Sequence, residues 1–349
     1  MAVNVFVTGA GALVGQGALR LLRMMKRPLR IVTGDPDHRA AGHWLGDKPY
    51  VIPMAHEPNY VSEVERIVRR EKIGILFVGT DVELSLFARE KSHFAVLGVK
   101  VIVSSPRVVE IADDKWLTAQ FLRESGFPFP RTALASDPSA CRTLAAECGL
   151  PLFAKPRRGA RSVGARVLRS AADLEAVASP TSDLVIQEYL PDDPGEFTAG
   201  CVGAVDGKVG GVVVLKRDLR DGNTFRAYHD GTALYEARIA EIATRLGIEG
   251  PSNFQFRVKN GEPVVFEINA RFSGTTPLRA MFGFNEVEAI VENVLTGAPI
   301  PQPKLRAGTV LRVWSDIFVP SVQLAEFARA GELDKPSSEA MPFLTSRGS

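Results

Sequence analysis

Four short β-branched runs alternate with helix-like stretches over the first third of the chain. The runs are Val3–Val7, Leu29–Thr33, Ile73–Val78 and Val99–Ser104. Between them lie Thr8-Gly-Ala-Gly-Ala-Leu-Val-Gly15 with an apolar-periodic stretch through Met25, then Val61–Arg70, then Glu83–Arg89. Strands that alternate with helices need crossover connections, and crossovers yield a parallel, doubly wound sheet. The rhythm changes near Pro106. Val108–Gly126 reads as one or two helices, followed by strands at Leu152–Lys155, Arg166–Leu168 and Leu184–Glu188 and a helix at Ala171–Ala178. Thr198–Val205 and Val209–Leu215 flank an Asp206-Gly207 turn, Tyr235–Leu246 is helical, and Phe254–Val258 and Val264–Ile268 flank Asn260-Gly261.

The length of 349 residues suits about two or three domains. Apolar residues make up 45% and charged residues 23%, which excludes a mainly disordered, collagen-like or disulfide-scaffold chain. The net charge of +2 argues against a dedicated nucleic-acid partner. The three cysteines form no C-x-x-C pair, and the five histidines form no ligand pair, so neither supports a metal site. No apolar run approaches a membrane span, and the expectation is a cytoplasmic protein with no membrane partner.

Four segments could carry chemistry. Gly9 and Gly11 belong to a G-x-G-x-x-x-G turn between a strand and a helix, with Asp35 twenty residues beyond Gly15. Such a turn can cradle phosphate, including a dinucleotide's, or it can be a close-packed βα turn. Lys155 ends an apolar strand and is followed by a Gly/Arg-rich loop containing Arg161, suited to polyphosphate or to plain solvent exposure. Ile186-Gln187-Glu188-Tyr189-Leu190 runs into a proline-broken loop and Glu196; it can serve a purine and ribose, or be a strand edge with an acidic loop. Glu267, Asn269 and Arg271 alternate along a strand, with Gln255 on its hairpin partner. That set offers oxygen ligands for magnesium and a cation for phosphates, and it equally suits a solvated hairpin face. Gln255 and Glu267 share a face only with a three-residue loop, Asn260 to Glu262; a two-residue Asn260-Gly261 loop would separate them.

The order of these pieces, Asp113-Asp114-Lys115, then Lys155, then Q-E-Y-L with Glu196, then Q…E-x-N-x-R, resembles the ATP-grasp superfamily. The similarity is greatest to single-module relatives of the carbamoyl phosphate synthetase large subunit. It extends upstream to Val78–Leu84 and Ser104-Ser105-Pro106, covering roughly residues 1–300. The resemblance implies an α/β and α+β chain. A Rossmann-like pre-ATP-grasp domain (1–112) would precede a two-subdomain ATP-grasp domain (113–305, lid roughly 118–187) and a small C-terminal segment (306–349). It implies a carboxylate-amine ligase that forms an acyl phosphate with ATP and one or two Mg2+ ions, for which Mn2+ can stand in. Its partners would be a small carboxylate and an amine, and a homodimer is the analogous assembly.

By residue, the resemblance implies that Lys115 and Lys155 contact ATP phosphates. Gln187, Glu188 and Leu190 would border adenine, and Glu196 would hold ribose. Gln255, Glu267 and Asn269 would hold metal, and Arg271, with Lys155, would steady the transferred phosphoryl group. Gly9, Gly11, Thr80, Asp81, Glu83, Arg161 and Arg217 are expected near the substrate, although Thr80-Asp81 also reads as a helix N-cap. A non-amine acceptor and a nicotinamide-linked oxidoreductase or epimerase on the Gly9 turn are the alternatives. The second predicts a Tyr-x-x-x-Lys pair, and none of the five tyrosines has lysine four residues on.

Overall fold

The computed structural model describes residues 3–159, 163–313 and 315–340. Strands β1 (Val3–Val7), β2 (Leu29–Asp35), β3 (Lys48–Val51), β4 (Ile75–Phe77) and β5 (Lys100–Ile102) form a parallel sheet in the order β3-β2-β1-β4-β5. Helices α1 (Leu13–Met24), α2 (Tyr60–Glu71) and α3 (Asp81–Val96) make the crossovers, with a 3₁₀ turn at Ala41–Leu45 before β3. The strands are apolar on both faces because both are covered. Phe6, Val32 and Leu76 pack towards α2 and α3 with Val64, Ile67 and Phe87. Val5, Val7, Ile31 and Phe77 pack towards Leu19 and Leu22 of α1. The strand order reverses between β1 and β4, which opens a crevice at their carboxyl ends.

Helices α4 (Pro106–Asp113) and α5 (Lys115–Glu124) follow, separated by the single residue Asp114. Asp114 is fully buried and caps α5 by accepting from Trp116 N and Leu117 N. A four-stranded antiparallel sheet comes next, in the order β6-β9-β7-β8: β6 (Thr132–Leu134), β7 (Leu152–Pro156), β8 (Arg166–Leu168) and β9 (Leu184–Glu188). It carries helices α6 (Pro138–Cys148) and α7 (Ala171–Val177) over its own apolar cluster, which includes Cys141, Leu144, Leu152 and Leu174.

A six-stranded antiparallel sheet forms the remaining layer. It contains β10 (Glu196–Gly203), β11 (Val209–Arg220), β12 (Asn223–His229), β13 (Gly250–Lys259), β14 (Glu262–Asn269) and β15 (Gly308–Leu311), in the order β14-β13-β10-β11-β12-β15. Helix α8 (Glu236–Leu246) covers one face through Ile239, Ile242 and Ala243, beside Phe254 and Phe256. Helices α9 (Thr276–Met281) and α10 (Glu286–Thr296) lie against α1, so Leu278, Val287 and Ile290 share a core with β1 and β4 of the parallel sheet. Strand β16 (Ile317–Phe318), helix α11 (Ser321–Ala330) and strand β17 (Glu339–Ala340) close the described chain. Among the described residues no helix is long and apolar enough to cross a membrane.

Candidate active site

The four-stranded and six-stranded sheets face each other across a cleft of about 210 Å3. Lys155, the fourth residue of β7, enters it from above. Its side chain is buried, and Nζ donates to Phe266 O at 3.0 Å and lies over the Phe266 ring. Burial pushes this ammonium down to about 8; Glu267 opposes that shift and Lys115 adds to it. Lys115, the first residue of α5, is also buried and donates from Nζ to Gly159 O at 2.8 Å. Both lysines therefore present charge from anchored stems.

The far end of the cleft is lined by the end of β9. Glu188 pairs with Lys259 Nζ at 3.1 and 3.2 Å. Gln187 turns its amide to Thr132 Oγ1 at 3.0 Å, so its side chain serves the sheet. Leu190 O accepts from Arg257 Nη1 at 3.2 Å, and the buried Leu190 side chain lines the wall. Glu196, at the start of β10, accepts from Arg217 Nη2 at 2.5 Å and faces Arg257 Nη2 at 3.5 Å.

Gln255 and Glu267 share a face, although the hairpin has the two-residue loop that was expected to separate them. Lys259 pairs with Glu262, leaving Asn260 and Gly261 as the turn, with φ of 54° and 79°. Positive φ at both central residues is what a tight type I′ turn requires. The ladder then slips: Phe256 pairs with Val265, but Gln255 pairs with Glu267. Phe266 is the extra residue of a β-bulge, and the slip returns Glu267 to the cleft. The bulge also aims the Phe266 carbonyl at Lys155. The loop-length expectation is thus corrected, while the shared face it was meant to secure is present.

Glu267 Oε1 accepts from Gln255 Nε2 at 2.8 Å and from Asn269 Nδ2 at 3.1 Å. Its Oε2 accepts no hydrogen bond among the described residues. No group of three His, Cys, Asp or Glu side chains gathers among the described residues. One carboxylate oxygen open to a cleft, with two amides beside it, fits magnesium that arrives with phosphates and keeps waters in its shell. Arg271, just past β14, donates to Asn269 Oδ1 at 3.0 Å and to Asp81 at 2.6 and 3.1 Å.

A second cleft of about 780 Å3 lies between α3, α4 and β14. Lys115, Gly159 and Glu267 line both clefts, so the two meet at one carboxylate. Asp81, Arg89, Glu110 and Arg158 line the second cleft. Of the residues expected near substrate, only Asp81 reaches it. Arg161 lies outside the described residues. Arg217 belongs to the first cleft, because β11 pairs it with Glu196 across the sheet.

The other four, Gly9, Gly11, Thr80 and Glu83, line neither cleft and are packed against protein. A Cβ at Gly9 would fall 2.4 Å from Thr80 Cγ2, and Gly11 N donates to Asp35 Oδ2 at 2.7 Å. Thr80 stands at the N-cap position of α3, yet its hydroxyl donates to Glu83 Oε2 at 2.6 Å rather than capping the helix. Glu83 is buried, also accepts from Tyr60 Oη, and has its carboxyl pushed up by burial. The chain folds back over the Gly9 turn: a Cβ at Gly42 would fall 1.9 Å from Ala10 O, and one at Gly11 2.8 Å from Ala40 Cβ. Asp35 is committed to Gly11 N and Asp37 N. The turn is a close-packed βα connection.

Sequence reasoning missed Arg257 and Lys259, although both follow Gln255 at the two-residue spacing of one strand face. Arg89 and Glu110 come to the second cleft only through the packing of α3 and α4, with no local signal to mark them, whereas Arg158 belongs to the Gly/Arg-rich loop after Lys155.

Two known families match parts of the chain. The family described as "ATP-grasp in the biosynthetic pathway with Ter operon" matches residues 180–316, and "PylC-like, N-terminal domain" matches residues 10–102. The carbamoyl phosphate synthase large chain of Deinococcus radiodurans is 24% identical over 269 residues, 71% of this chain and 25% of that one. The same protein of Campylobacter jejuni is 27% identical over 244 residues, 63% of this chain and 21% of that one. The chain thus spans about a quarter of the length of these curated relatives. Among solved structures, Campylobacter jejuni biotin carboxylase superposes with a TM-score of 0.70 at 19% identity, over 90% of this chain and 75% of that one. The N5-carboxyaminoimidazole ribonucleotide synthetase of Thermus thermophilus does so at 0.69 and 15%, over 92% and 86%.

Proposed function

The chain belongs to the ATP-grasp superfamily, and from that premise we propose that it is an ATP- and magnesium-dependent ligase joining a carboxylate to an amine. The observation that carries the reading is the meeting of the first cleft and the larger second cleft at Glu267 and Lys115, with Lys155 in the first and Arg271 held by Asp81 of the second. In this reading the N-terminal unit covers 1–112, the grasp 113–305 and a small segment 306–349.

Phosphoryl transfer asks a protein mainly for positioning and charge neutralisation. Lys155 and Lys115 would hold the phosphates in the first cleft, with Glu188 and Leu190 bordering adenine and Glu196 the ribose. Glu267, flanked by Gln255 and Asn269, would hold magnesium, which supplies charge neutralisation on the phosphate oxygens. The carboxylate in the second cleft attacks the γ-phosphorus, and ADP leaves towards the first cleft. Arg271, held by Asn269 and by Asp81 of the second cleft, would release Asp81 to meet the acyl phosphate. An amine, arriving deprotonated, attacks the acyl carbon and expels phosphate, which leaves carrying the proton that the nitrogen loses. No side chain need remove a proton for the first step, because the nucleophile is already an anion.

ADP release from ATP and Mg2+, over a panel of carboxylates with and without mixed amines, tests the reading. Metal-dependent release requiring both partners supports it. Release that needs a thiol or hydroxyl acceptor in place of the amine replaces it with the non-amine ligase. An absence of ATP binding overturns it.

A further inference from the structure

Arg217 is the most tightly tethered cation of the nucleotide cleft. Its side chain is 7% exposed. Nε and Nη2 both donate to Glu196 Oε1, at 3.1 and 2.5 Å, and Nη1 donates to Thr224 Oγ1 at 3.3 Å. Nη2 also donates to Gln255 Oε1 at 2.6 Å. The guanidinium therefore sits in the cleft floor between the carboxylate at the start of β10 and the Gln255–Glu267 pair. An arginine keeps its charge at any accessible pH and holds its fork in one plane.

The orientation of Gln255 follows from its neighbours. Arginine has no acceptor and an ionised carboxylate no donor, so the amide oxygen must face Arg217 and the amide nitrogen Glu267. The oxygen with which Gln255 would ligate a metal is already held by a cation. A divalent ion on that oxygen would stand beside the buried guanidinium, and like charges at such a separation repel strongly away from bulk water. Glu267 Oε2 has no such neighbour. It is open, it belongs to the only acidic side chain of the Gln255–Glu267–Asn269 set, and one such oxygen suffices for an ion that completes its shell with phosphates and water.

Resting on the nucleotide-site reading above, we propose that Arg217 is a fixed positive charge in place of a second metal ion, so that this chain takes one divalent cation with each nucleotide. Gln255 then acts as a positioning residue, coupling Arg217 to Glu267, and not as a metal ligand. Lys155 and Arg217 both line the first cleft, and the ion on Glu267 would supply the remaining charge.

Equilibrium dialysis of the full chain against Mn2+ and the non-hydrolysable β,γ-imido analogue of ATP tests this without turnover. The wild type is expected to bind one Mn2+ per nucleotide. Arg217→Met is expected to bind nucleotide roughly tenfold to a hundredfold more weakly, the loss typical of one charge-assisted contact set. Its bound Mn2+ should climb towards two as the metal concentration rises, whereas Arg217→Lys should stay at one. Two Mn2+ per nucleotide in the wild type overturns the inference alone and leaves the nucleotide site standing. Unchanged nucleotide affinity in folded Arg217→Met also overturns it. Should the Met variant not fold, the wild-type stoichiometry decides. No analogue binding by the wild type overturns both this inference and the nucleotide-site reading.

Discussion

Lys155 carries its charge in a place that opposes it. Burial lowers its affinity for the proton to about 8, and Glu267 only partly compensates. Only the ammonium form brings positive charge to a phosphate, and charge-assisted hydrogen bonds are the strong ones. Below about pH 8 the free chain already holds that proton, so nucleotide affinity should be flat. Above it, binding must take a proton up, and affinity should fall by up to about tenfold per pH unit. Calorimetry at several pH values, in buffers of different ionisation enthalpy, checks both the slope and the proton uptake. Glu267 differs in kind: it is half-buried at a cleft, and its Oε2 has no partner among the described residues. Glu267→Ala should cut ATP turnover at least about a hundredfold, the scale of losing a main electrostatic stabiliser. The circular dichroism spectrum should stay as in the wild type.

At the scale of elements, one bulge and one ion pair shape the site. The Asn260-Gly261 turn was legible as a hairpin signal, but the extra residue at Phe266 was not, because a bulge leaves no mark on an apolar run. Arg279 of α9 and Glu286 of α10 form an ion pair in which both side chains are fully buried. The guanidinium also donates to Thr275 Oγ1 at 2.6 Å and Asn253 Oδ1 at 3.3 Å, tying the turn after β14 to β13. Arg279→Ala leaves Glu286 charged and unpaired, and should cost about 3–5 kcal/mol in urea denaturation. Gly200 of β10 lies where a Cβ would fall 2.3 Å from Arg279 Cζ, which explains glycine in mid-strand there.

Across the whole molecule, the C-terminal segment returns to the first sheet. Val51 N donates to Gly331 O at 2.7 Å, Arg70 holds Glu332 at 2.7 Å through two nitrogens, and Lys48 Nζ meets Asp334 at 2.6 Å. Phe327 of α11 is fully buried, edge-on to His43 at 4.9 Å and Trp44 at 6.1 Å. Phe327→Ala should destabilise the chain by about 3–5 kcal/mol, with Trp44 among the indoles whose emission reddens as the segment detaches. An unchanged urea midpoint would show that the docking contributes nothing to the N-terminal sheet.

The strands and helices of the first third were readable because buried parallel strands are continuous apolar runs and their crossovers keep a helical period. Two strands were not: β3, at the edge of the parallel sheet, is Lys-Pro-Tyr-Val, and β12, between β11 and β15, alternates polar residues, and neither has the continuous apolar run that marks a buried strand. Glu267, Asn269 and Gln255 were found as a set, since strand alternation is local and hairpin partners are close in sequence. The lining of the second cleft was not, Asp81 excepted. Gly9, Gly11, Thr80 and Glu83 line neither cleft, Arg217 lines the first, and Arg89, Glu110 and Arg158 line the second. The sequence by itself determined which chemistry-bearing side chains share a strand face, because backbone period alone sets that. Only the tertiary structure decided which cleft each one enters and which partner it meets, because those depend on register slips and on contacts between elements far apart in the chain.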